Sequence, residues 1–233
     1  MTDDRRLRLR RREALGLLGG LSAAAAAAAV GARSAGLLGD TDDADAAATC
    51  VLSPEATEGP YWIDGTLTRR DIREGKAGVP LLLTLTVQNA ATCRPISGAD
   101  VEIWHCDADG DYSGFDGSAK TRYLRGHQIS DADGRVHFVT IIPGWYPGRT
   151  PHIHLKVHNG GRVVHTGQIF FSEKILSQVY KLAPYARHGQ ADTSHAADGI
   201  FAQAGGDKAI VQLARRRNGR RGFTGRITLG VAT

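Results

Sequence analysis

The stretch Val79-Pro80-Leu81-Leu82-Leu83-Thr84-Leu85-Thr86-Val87 partly alternates apolar and polar residues, which predicts a β-strand. Turn signals rich in Gly, Asp, Asn and Pro separate it from later strand-like runs, and those at residues 131–134 and 158–161 predict hairpins. Short helices are expected at residues 173–180 and 198–202. Many short strands joined by turns predict an all-β fold, a β-sandwich with short helices and long loops. The further strand-like runs lie at residues 99–104, 136–142, 152–157, 163–171 and 225–231.

The N-terminal region, residues 1–36, has the layout of an export signal. An arginine-rich start precedes a mildly apolar Gly/Ala-rich region, and the Arg11-Arg12 pair predicts the twin-arginine form, which carries proteins that fold before crossing. An alanine-rich helix at the domain edge is the alternative. Residues 37–50 are expected to be a flexible linker and residues 51–233 the folded domain. We therefore expect a secreted or cell-surface protein, with no stable membrane insertion after signal removal.

Charge gives little information about partners, although the formal net charge is +5. The excess arginine is confined to residues 5–12 and 215–226, and the middle of the chain is close to balanced. Basic runs can indicate nucleic-acid binding. We interpret these two as a targeting peptide and a solvated surface, and expect no nucleic-acid partner.

Cysteine usage fits an exported protein. Of the three cysteines, Cys50 and Cys93 lie in loop-like sequence, and we expect them to form a disulfide. Cys106 follows a strand and is expected to be a buried thiol. The absence of a Cys-x-x-Cys motif from the sequence argues against a thiolate zinc site.

Most of the candidate metal-binding and catalytic residues lie in one segment, Trp145-Tyr146-Pro147-Gly148-Arg149-Thr150-Pro151-His152-Ile153-His154. Side chains alternate along a strand, so His152 and His154 face the same way and can share a metal ion. The Pro-Gly turn could fold Tyr146 over them. A phenol oxygen beside two imidazole nitrogens favours a hard, high-charge metal such as ferric iron more than zinc. A second tyrosine, Tyr112, lies in a Gly-rich loop, where functional side chains are common.

Taken together, these motifs resemble the intradiol ring-cleavage dioxygenases, such as catechol 1,2-dioxygenase and protocatechuate 3,4-dioxygenase. The resemblance covers about residues 56–230, with the order and spacing of the family. The matching pieces are Glu-Gly-Pro-Tyr at 58–61, Gly-Ala-Asp-Val-Glu-Ile-Trp-His at 98–105, Gly-Asp-Tyr-Ser at 110–113, Asp-Ala-Asp-Gly-Arg at 131–135, Ile-Pro-Gly-Trp-Tyr at 142–146, Arg-Thr-Pro-His-Ile-His at 149–154 and Gln-Ile-Phe-Phe at 168–171.

The resemblance implies a β-sandwich that holds a non-haem Fe(III) ion with two tyrosinates, two histidines and a hydroxide. The matching ligands are Tyr112, Tyr146, His152 and His154. It implies that a catechol and O2 are the substrates, and that the ring is cleaved between the two hydroxylated carbons to give a cis,cis-muconate-type diacid. Tyr146 matches the tyrosine that leaves the metal and takes one substrate proton.

Other matching positions imply supporting roles. Arg149 matches the family arginine that stabilises the electron-rich ring, with a surface ion pair as the alternative. Gln168 matches a glutamine near the metal-bound hydroxide, with a strand residue bonded to backbone as the alternative. The other histidines match no ligand and are expected to be structural or exposed. The loops that carry pocket residues in the family correspond to those of four residues here, so the resemblance implies that these line the substrate pocket. They are Tyr61, Trp62, Asp107 and Trp145, and ordinary packing is the alternative for each.

Two other classes of protein remain open at this point. One is a non-catalytic β-sandwich binding module, which does not need four metal-capable side chains in family register. The other is a zinc or copper hydrolase or oxidase that uses His152 and His154. Tyrosinate bound to Fe(III) absorbs visible light, so a colourless zinc preparation would favour the second. The chain lacks the long helical region with which cytoplasmic catechol 1,2-dioxygenases dimerise, so the oligomeric state is open. Export suggests a role on catechols outside the membrane, such as those released from lignin.

Overall fold

Two four-stranded β-sheets form the framework of the chain in the computed structural model, which describes residues 50–117, 119–217 and 219–233. The predicted export signal lies outside the described residues, as does the predicted linker except for Cys50. The strands are β1 Pro80–Asn89, β2 Asp100–Trp104, β3 Arg125–Ile129, β4 Arg135–Ile141, β5 His152–Asn159, β6 Arg162–Phe170, β7 Gln212–Arg215 and β8 Phe223–Val231.

The two sheets pack face to face around one apolar core. The first sheet has the order β4-β1-β8-β7, with β1 and β8 parallel, and the second has the antiparallel order β3-β2-β5-β6. Alternate residues of β1 are buried, as a strand with one inward face requires. The predicted all-β sandwich is confirmed. Residues from both sheets meet in the core, among them Leu81, Leu83, Leu85, Val101, Ile103, Ile153, Leu155 and Ile169.

The helices are few and short. The predicted helices are confirmed as α1 Glu173–Val179 and α2 Gly199–Gln203. Three 3-10 turns were not predicted and lie at Tyr185–Arg187, His195–Ala197 and Gly206–Ala209. Among the described residues, no helix has the length and apolar character that crossing a membrane requires.

One predicted hairpin is wrong. Residues 131–134 do form a tight turn, in which Gly134 N–H donates to the Asp131 carbonyl at 2.9 Å. However, β3 before the turn pairs with β2, and β4 after it pairs with β1, so the turn carries the chain from one sheet to the other. The turn residues are a local signal, whereas the strand partner depends on where each strand buries its apolar face. The hairpin at residues 158–161 is confirmed, because β5 and β6 pair antiparallel around it.

The sequence did not predict β3 or β7. Both lie at the edge of a sheet, and their sequences, Arg-Gly-His-Gln-Ile and Gln-Leu-Ala-Arg, lack a clear apolar alternation. Edge strands bury less than central strands, so the pattern that marks a strand is weakest there. Arg215 and Arg226 are exposed, as the surface interpretation of this basic run predicted, although they lie on β7 and β8.

The segment before β1 crosses the outer face of the second sheet, and we call residues 53–66 the N-terminal arm. Ala56 N–H donates to the Thr166 carbonyl of β6 at 3.0 Å. The predicted disulfide between Cys50 and Cys93 is confirmed and joins the start of this region to the loop after β1. Cys106 is a buried free cysteine, also as predicted. The N-terminal arm therefore covers a sheet face that would otherwise be open to solvent.

Candidate metal centre

Strand β5 presents the two histidines beneath the N-terminal arm. His152 and His154 lie on its outer face, because the residues between and after them, Ile153 and Leu155, belong to the core. The two Nε2 atoms are 3.0 Å apart. The Trp104 ring, opposite His154 on β2, stacks on His154 at 5.0 Å between centroids. The two imidazoles are therefore neighbours, and each turns its Nε2 toward the other.

The loop between β4 and β5 brings Tyr146 to the histidines. Arg149 N–H donates to the Tyr146 carbonyl at 3.3 Å, and Gly148 between them has a φ of 83°. This is the turn that a Pro-Gly pair favours. It places the Tyr146 Oη 3.1 Å from His152 Nε2. The prediction that this turn folds Tyr146 over the histidines is confirmed.

Tyr112 reaches the same place from the loop between β2 and β3. Its ring centroid lies 5.8 Å from that of Tyr146 and 6.1 Å from that of His154. Two glycines allow the loops to touch: a Cβ on Gly110 would lie 2.3 Å from the Trp145 carbonyl oxygen, and one on Gly144 would lie 2.4 Å from that of Asp107. The close backbone contact fixes the two tyrosines relative to each other.

The side chains fit a metal ion with mixed oxygen and nitrogen ligands. Ligand atoms about 2 Å from one metal lie roughly 3 Å from each other, and His152 Nε2 lies 3.0 Å from His154 Nε2 and 3.1 Å from the Tyr146 Oη. His152 Nδ1 lies 2.7 Å from the Thr150 carbonyl, so its ring N–H donates there and Nε2 keeps its lone pair. The buried Tyr112 Oη makes no hydrogen bond of ordinary geometry, although the Tyr146 phenol is near enough to interact with it. Such an atom needs a partner, and a cation could provide one.

The tyrosine oxygens are essential to such a site. Among the described residues, no group of three or more His, Cys, Asp or Glu side chains could hold a metal. Two histidines alone leave most of the coordination sphere of a metal empty. A metal at this position would therefore be held by His152, His154, Tyr112 and Tyr146 together, the four predicted ligands.

Burial sets the protonation of these groups in the protein without metal. Burial, followed by the charge of Arg149, lowers the pKa of His152 to about 3. Burial also lowers the pKa of His154 well below its ordinary value, so both imidazoles have a free lone pair at neutral pH. Burial raises the pKa of Tyr146 to about 12 and raises that of Tyr112 well above the usual range. The phenols therefore need a bound cation to ionise at neutral pH.

Arg149 and Gln168 lie next to the four ligands and bind each other. Arg149 Nη2 donates to the Gln168 Oε1 at 2.5 Å, and Gln168 Nε2 donates to the Thr57 carbonyl of the N-terminal arm at 2.8 Å. Arg149 Nε donates to the Asp198 Oδ2 at 2.9 Å. Gln168 faces outward beside His154 because the two are register partners on β6 and β5. Arg149 thus makes an ion pair, as the alternative interpretation of this residue predicted. The pair is not at the surface, however, but partly buried beside the four ligands.

Of the four predicted pocket residues, only Tyr61 clearly lines the site. Its ring stacks on Tyr112 at 4.2 Å between centroids and meets Tyr146 edge-on at 5.9 Å. The indole N–H of Trp145 instead donates to the Gly189 carbonyl, and the indole ring packs on His188. Trp145 therefore has the packing role that was its alternative.

The other two predicted pocket residues are used to hold loops. Asp107 binds Lys76 Nζ at 2.7 Å and accepts from the N–H groups of Asp109 and Asp111. The indole N–H of Trp62 donates to the buried Glu102 carboxylate at 3.1 Å. Both carboxylates help to orient segments that carry site tyrosines, since the Asp107 turn leads to Tyr112 and Trp62 follows Tyr61.

Several residues at the site were not predicted. Asp198 binds Arg149 but lies far along the chain and just before a short helix, so no spacing pattern pointed to it. Phe115 is exposed and meets the Tyr61 ring edge-on at 5.3 Å. Buried Arg125 donates to the Ser113 hydroxyl at 2.8 Å beside Tyr112. The Gly-rich composition of residues 110–117 was the one available signal for Phe115.

Known proteins share this fold and these segments. A protein-family model described as "Dioxygenase" matches residues 53–188. The solved intradiol ring-cleavage dioxygenase from Tetranychus urticae is 37% identical, with a TM-score of 0.74, covering 78% of this chain and 95% of that one. The dioxygenase domain of a dioxygenase–carbohydrate-binding protein fusion from Streptomyces sp. SirexAA-E is 30% identical, with a TM-score of 0.57, covering 78% of this chain and 100% of that one.

Curated relatives match over a shorter range. The catechol 1,2-dioxygenase of Pseudomonas sp. (strain EST1001) is 36% identical over 112 residues, which are 46% of this chain and 36% of the relative. The chlorocatechol 1,2-dioxygenase of Pseudomonas putida is 27% identical over 143 residues, which are 54% of each chain. The chain thus spans about a third to a half of the length of these relatives.

Proposed function

The chain belongs to the intradiol ring-cleavage dioxygenase family, and on this premise we propose that it cleaves the aromatic ring of catechols between the two hydroxylated carbons. O2 is the second substrate, and a cis,cis-muconate-type diacid is the product. The convergence of Tyr112, Tyr146, His152 and His154 is the observation that carries the proposal. The names of the curated relatives, which include catechol and chlorocatechol 1,2-dioxygenases, support a catechol as substrate.

We propose that these four side chains hold one non-haem Fe(III) ion. Two anionic phenolates stabilise iron(III) relative to iron(II), and neutral imidazoles complete the set. When bound, the ferric ion supplies Lewis-acid chemistry that draws both catechol oxygens into ionised form and prepares the ring for O2. The buried Tyr112 Oη supports this assignment, because it makes no hydrogen bond of ordinary geometry and a cation would satisfy it.

The residues around the ligands have separate tasks. Tyr146 is only partly buried, unlike Tyr112, and its Oη is the phenol oxygen best placed to take a proton from an entering catechol hydroxyl. Arg149 provides a fixed positive charge beside the electron-rich ring. Gln168 holds Arg149 from one side, and Tyr61 offers an aromatic edge at the ligand cluster. The N-terminal arm limits the access of water to the site.

Oxygen uptake with product analysis tests this function. The iron-loaded protein is mixed in turn with catechol, chlorocatechol, hydroxyquinol and protocatechuate. We expect consumption of one O2 for each ring cleaved and a muconate-type diacid from at least one of them. Tyr112→Phe is expected to abolish the reaction. Cleavage beside the diol rather than between the hydroxylated carbons, or no cleavage of any catechol, would reject the proposal.

A zinc-loaded preparation separates this function from a zinc hydrolase on the same histidines. Because zinc has no redox chemistry, the zinc form is expected to consume no O2. Hydrolase activity of the zinc form, with no oxygen uptake by the iron form, would favour the alternative metalloenzyme.

We further propose that the protein is exported through a twin-arginine signal and acts on catechols outside the membrane, such as those released from lignin. The Arg11-Arg12 pair and the Gly/Ala-rich region after it support this, and the Cys50–Cys93 disulfide suits an oxidising compartment. Cell fractionation tests it. Replacement of both arginines by lysine is expected to retain the protein in the cytosol, whereas an unchanged protein found only in the cytosol would contradict export.

A further inference from the structure

Asp198 uses all its hydrogen-bonding capacity next to the metal-centre residues. It is almost fully buried and lies just before α2. Its Oδ2 accepts from Arg149 Nε at 2.9 Å and from Thr150 N–H at 3.0 Å. Its Oδ1 accepts from the N–H groups of Ile200 at 2.9 Å and Phe201 at 3.3 Å. One carboxylate therefore ties the start of α2 to the loop that carries Tyr146 and Arg149.

These bonds fix the direction of the Arg149 guanidinium. Nε is held by Asp198 and Nη2 by Gln168, which is itself held by the Thr57 carbonyl. Within the described residues, Nη1 is the guanidinium nitrogen that has no hydrogen bond. Gln168, which accepts from Arg149 Nη2, is the register partner of His154, so the guanidinium lies beside the ligand cluster. The backbone N–H groups of Thr150, Ile200 and Phe201 also donate to the Asp198 carboxylate and hold it in place.

We propose that Asp198 is a positioning residue for ring cleavage: it holds the Arg149 guanidinium in the orientation from which its charge stabilises the electron-rich catechol ring. Without Asp198 the guanidinium could turn toward solvent, because Gln168, its one remaining hydrogen-bond partner in the described part of the chain, is neutral. The inference rests on the proposed function, since it assigns a task to Arg149 in that reaction. It places in the machinery a residue that lies outside all the matching motifs.

The test uses variants that separate the Arg149 contact from the cap of α2. In Asp198→Asn only one side of the amide can accept, so the variant keeps either the cap or the Arg149 contact but not both. Asp198→Ser keeps a good cap for α2 but cannot reach Arg149, and serves if the asparagine variant folds poorly. Glu173→Gln is the matched control, because Glu173 accepts from His195 N–H in the same region without touching Arg149.

We expect Asp198→Asn and Asp198→Ser to lower kcat by roughly 10- to 100-fold, because a displaced charge near the reacting atoms costs about that much. Iron content should stay the same and KM should change much less than kcat. In an Arg149→Gln background, the same Asp198 substitutions should cause no further loss, because they act through Arg149. Glu173→Gln should retain the activity of the unmodified protein.

Two results would overturn the inference. One is a further fall in kcat when the Asp198 substitutions are added to Arg149→Gln, so that the two fold-losses multiply. The other is a fall in kcat in Glu173→Gln as large as that in the Asp198 variants. A readout without turnover keeps this distinct from the proposed function. Anaerobic binding of 4-nitrocatechol to the iron-loaded protein is followed through the colour of its ionised form, and Asp198→Asn should shift that absorption only when Arg149 is present. If the unmodified protein cleaves no catechol, the proposed function fails, while this coupling still decides whether Asp198 acts through Arg149.

Discussion

At the scale of the residue, four side chains from three segments meet at one point, and the sequence motifs predicted all four. His152 and His154 could be predicted because strand alternation is a local rule, and Tyr146 because a Pro-Gly turn reverses the chain beside them. The Gly-rich loop was the local signal for Tyr112, and its assignment to the same site depended on the family resemblance. Asp198 could not be predicted, because a hydrogen bond to a residue 49 positions away leaves no pattern in the sequence.

Tyr146→Phe tests proton transfer at the metal centre. The change removes the Oη near His152 but keeps the ring that contacts Tyr61. We expect kcat to fall by roughly 100-fold or more, the usual contribution of a positioned acid or base. Iron should remain bound, because Tyr146 is the ligand that leaves the metal during the proposed reaction, whereas His152, His154 and Tyr112 stay in place. Metal analysis and turnover on the same sample provide the check, and undiminished turnover would show that this phenol carries no proton.

Gly59→Ala tests how closely the N-terminal arm approaches the ligands. A Cβ on Gly59 would lie 3.1 Å from His154 Cε1, whereas one on Gly65 would meet nothing within 4 Å. Both glycines have positive φ, of 70° and 72°, so alanine at either costs about 1–3 kcal/mol of backbone strain. Only Gly59→Ala should also weaken iron binding, measured by competition with a chelator. Equal iron affinity in the two variants would contradict this contact.

At the scale of the element, the N-terminal arm is held in part by an ion pair that the sequence did not indicate, with a buried lysine and a half-exposed glutamate. Lys156, on the same face of β5 as the histidines, binds the Glu58 carboxylate at 2.5 Å and lies 3.6 Å above the Trp62 ring. Strand β5 was predicted, but its outer face carries His152, His154 and Lys156, polar residues that are typical of exposed surface. It is buried because the N-terminal arm covers it, and only the fold shows that cover.

Lys156→Met tests this arrangement. Loss of the ammonium removes the ion-pair partner of the half-exposed Glu58 carboxylate and the cation above the Trp62 ring, and we expect the N-terminal arm to loosen with a cost of about 1 kcal/mol. Hydrogen exchange at the Ala56 amide, which donates to β6, should become faster. Lys181→Met, at an exposed position, is the control. Exchange as slow as in the unmodified protein would show that Lys156 does not hold the arm.

At the scale of the whole molecule, the number and spacing of strands predicted a sandwich, but the assignment of strands to sheets required the structure. The turn at residues 131–134 shows why, since a local turn motif does not reveal whether the next strand stays in the same sheet. Burial of titratable groups is likewise a property of the assembled fold. Four histidines in the described part of the chain are buried, namely His105, His152, His154 and His165, and burial is the main cause that lowers the pKa to about 4 for His105 and to about 3 for His152.

The stability of the metal-free protein should therefore depend on pH. The unfolded chain takes up protons at these histidines below about pH 6.5, whereas the folded chain does not until the lower pKa values are reached. The free energy of unfolding should thus be fully present above pH 6.5 and fall from there toward pH 4, by up to about 1.4 kcal/mol per pH unit for each histidine. Denaturant titrations at pH 7.5, 6 and 5 measure it. His105→Gln should give a shallower slope, and a flat profile in the unmodified protein would contradict neutral burial.

Titration of the metal-free protein with ferric iron, with the visible spectrum recorded at each step, tests the metal centre most directly. We expect saturation at one iron per chain and a visible charge-transfer band from tyrosinate to Fe(III). Both Tyr112→Phe and Tyr146→Phe should weaken or shift that band, and His152→Ala should lose the iron. A colourless iron complex, or a band unchanged in both tyrosine variants, would mean that the two phenols and two imidazoles do not share one ferric ion.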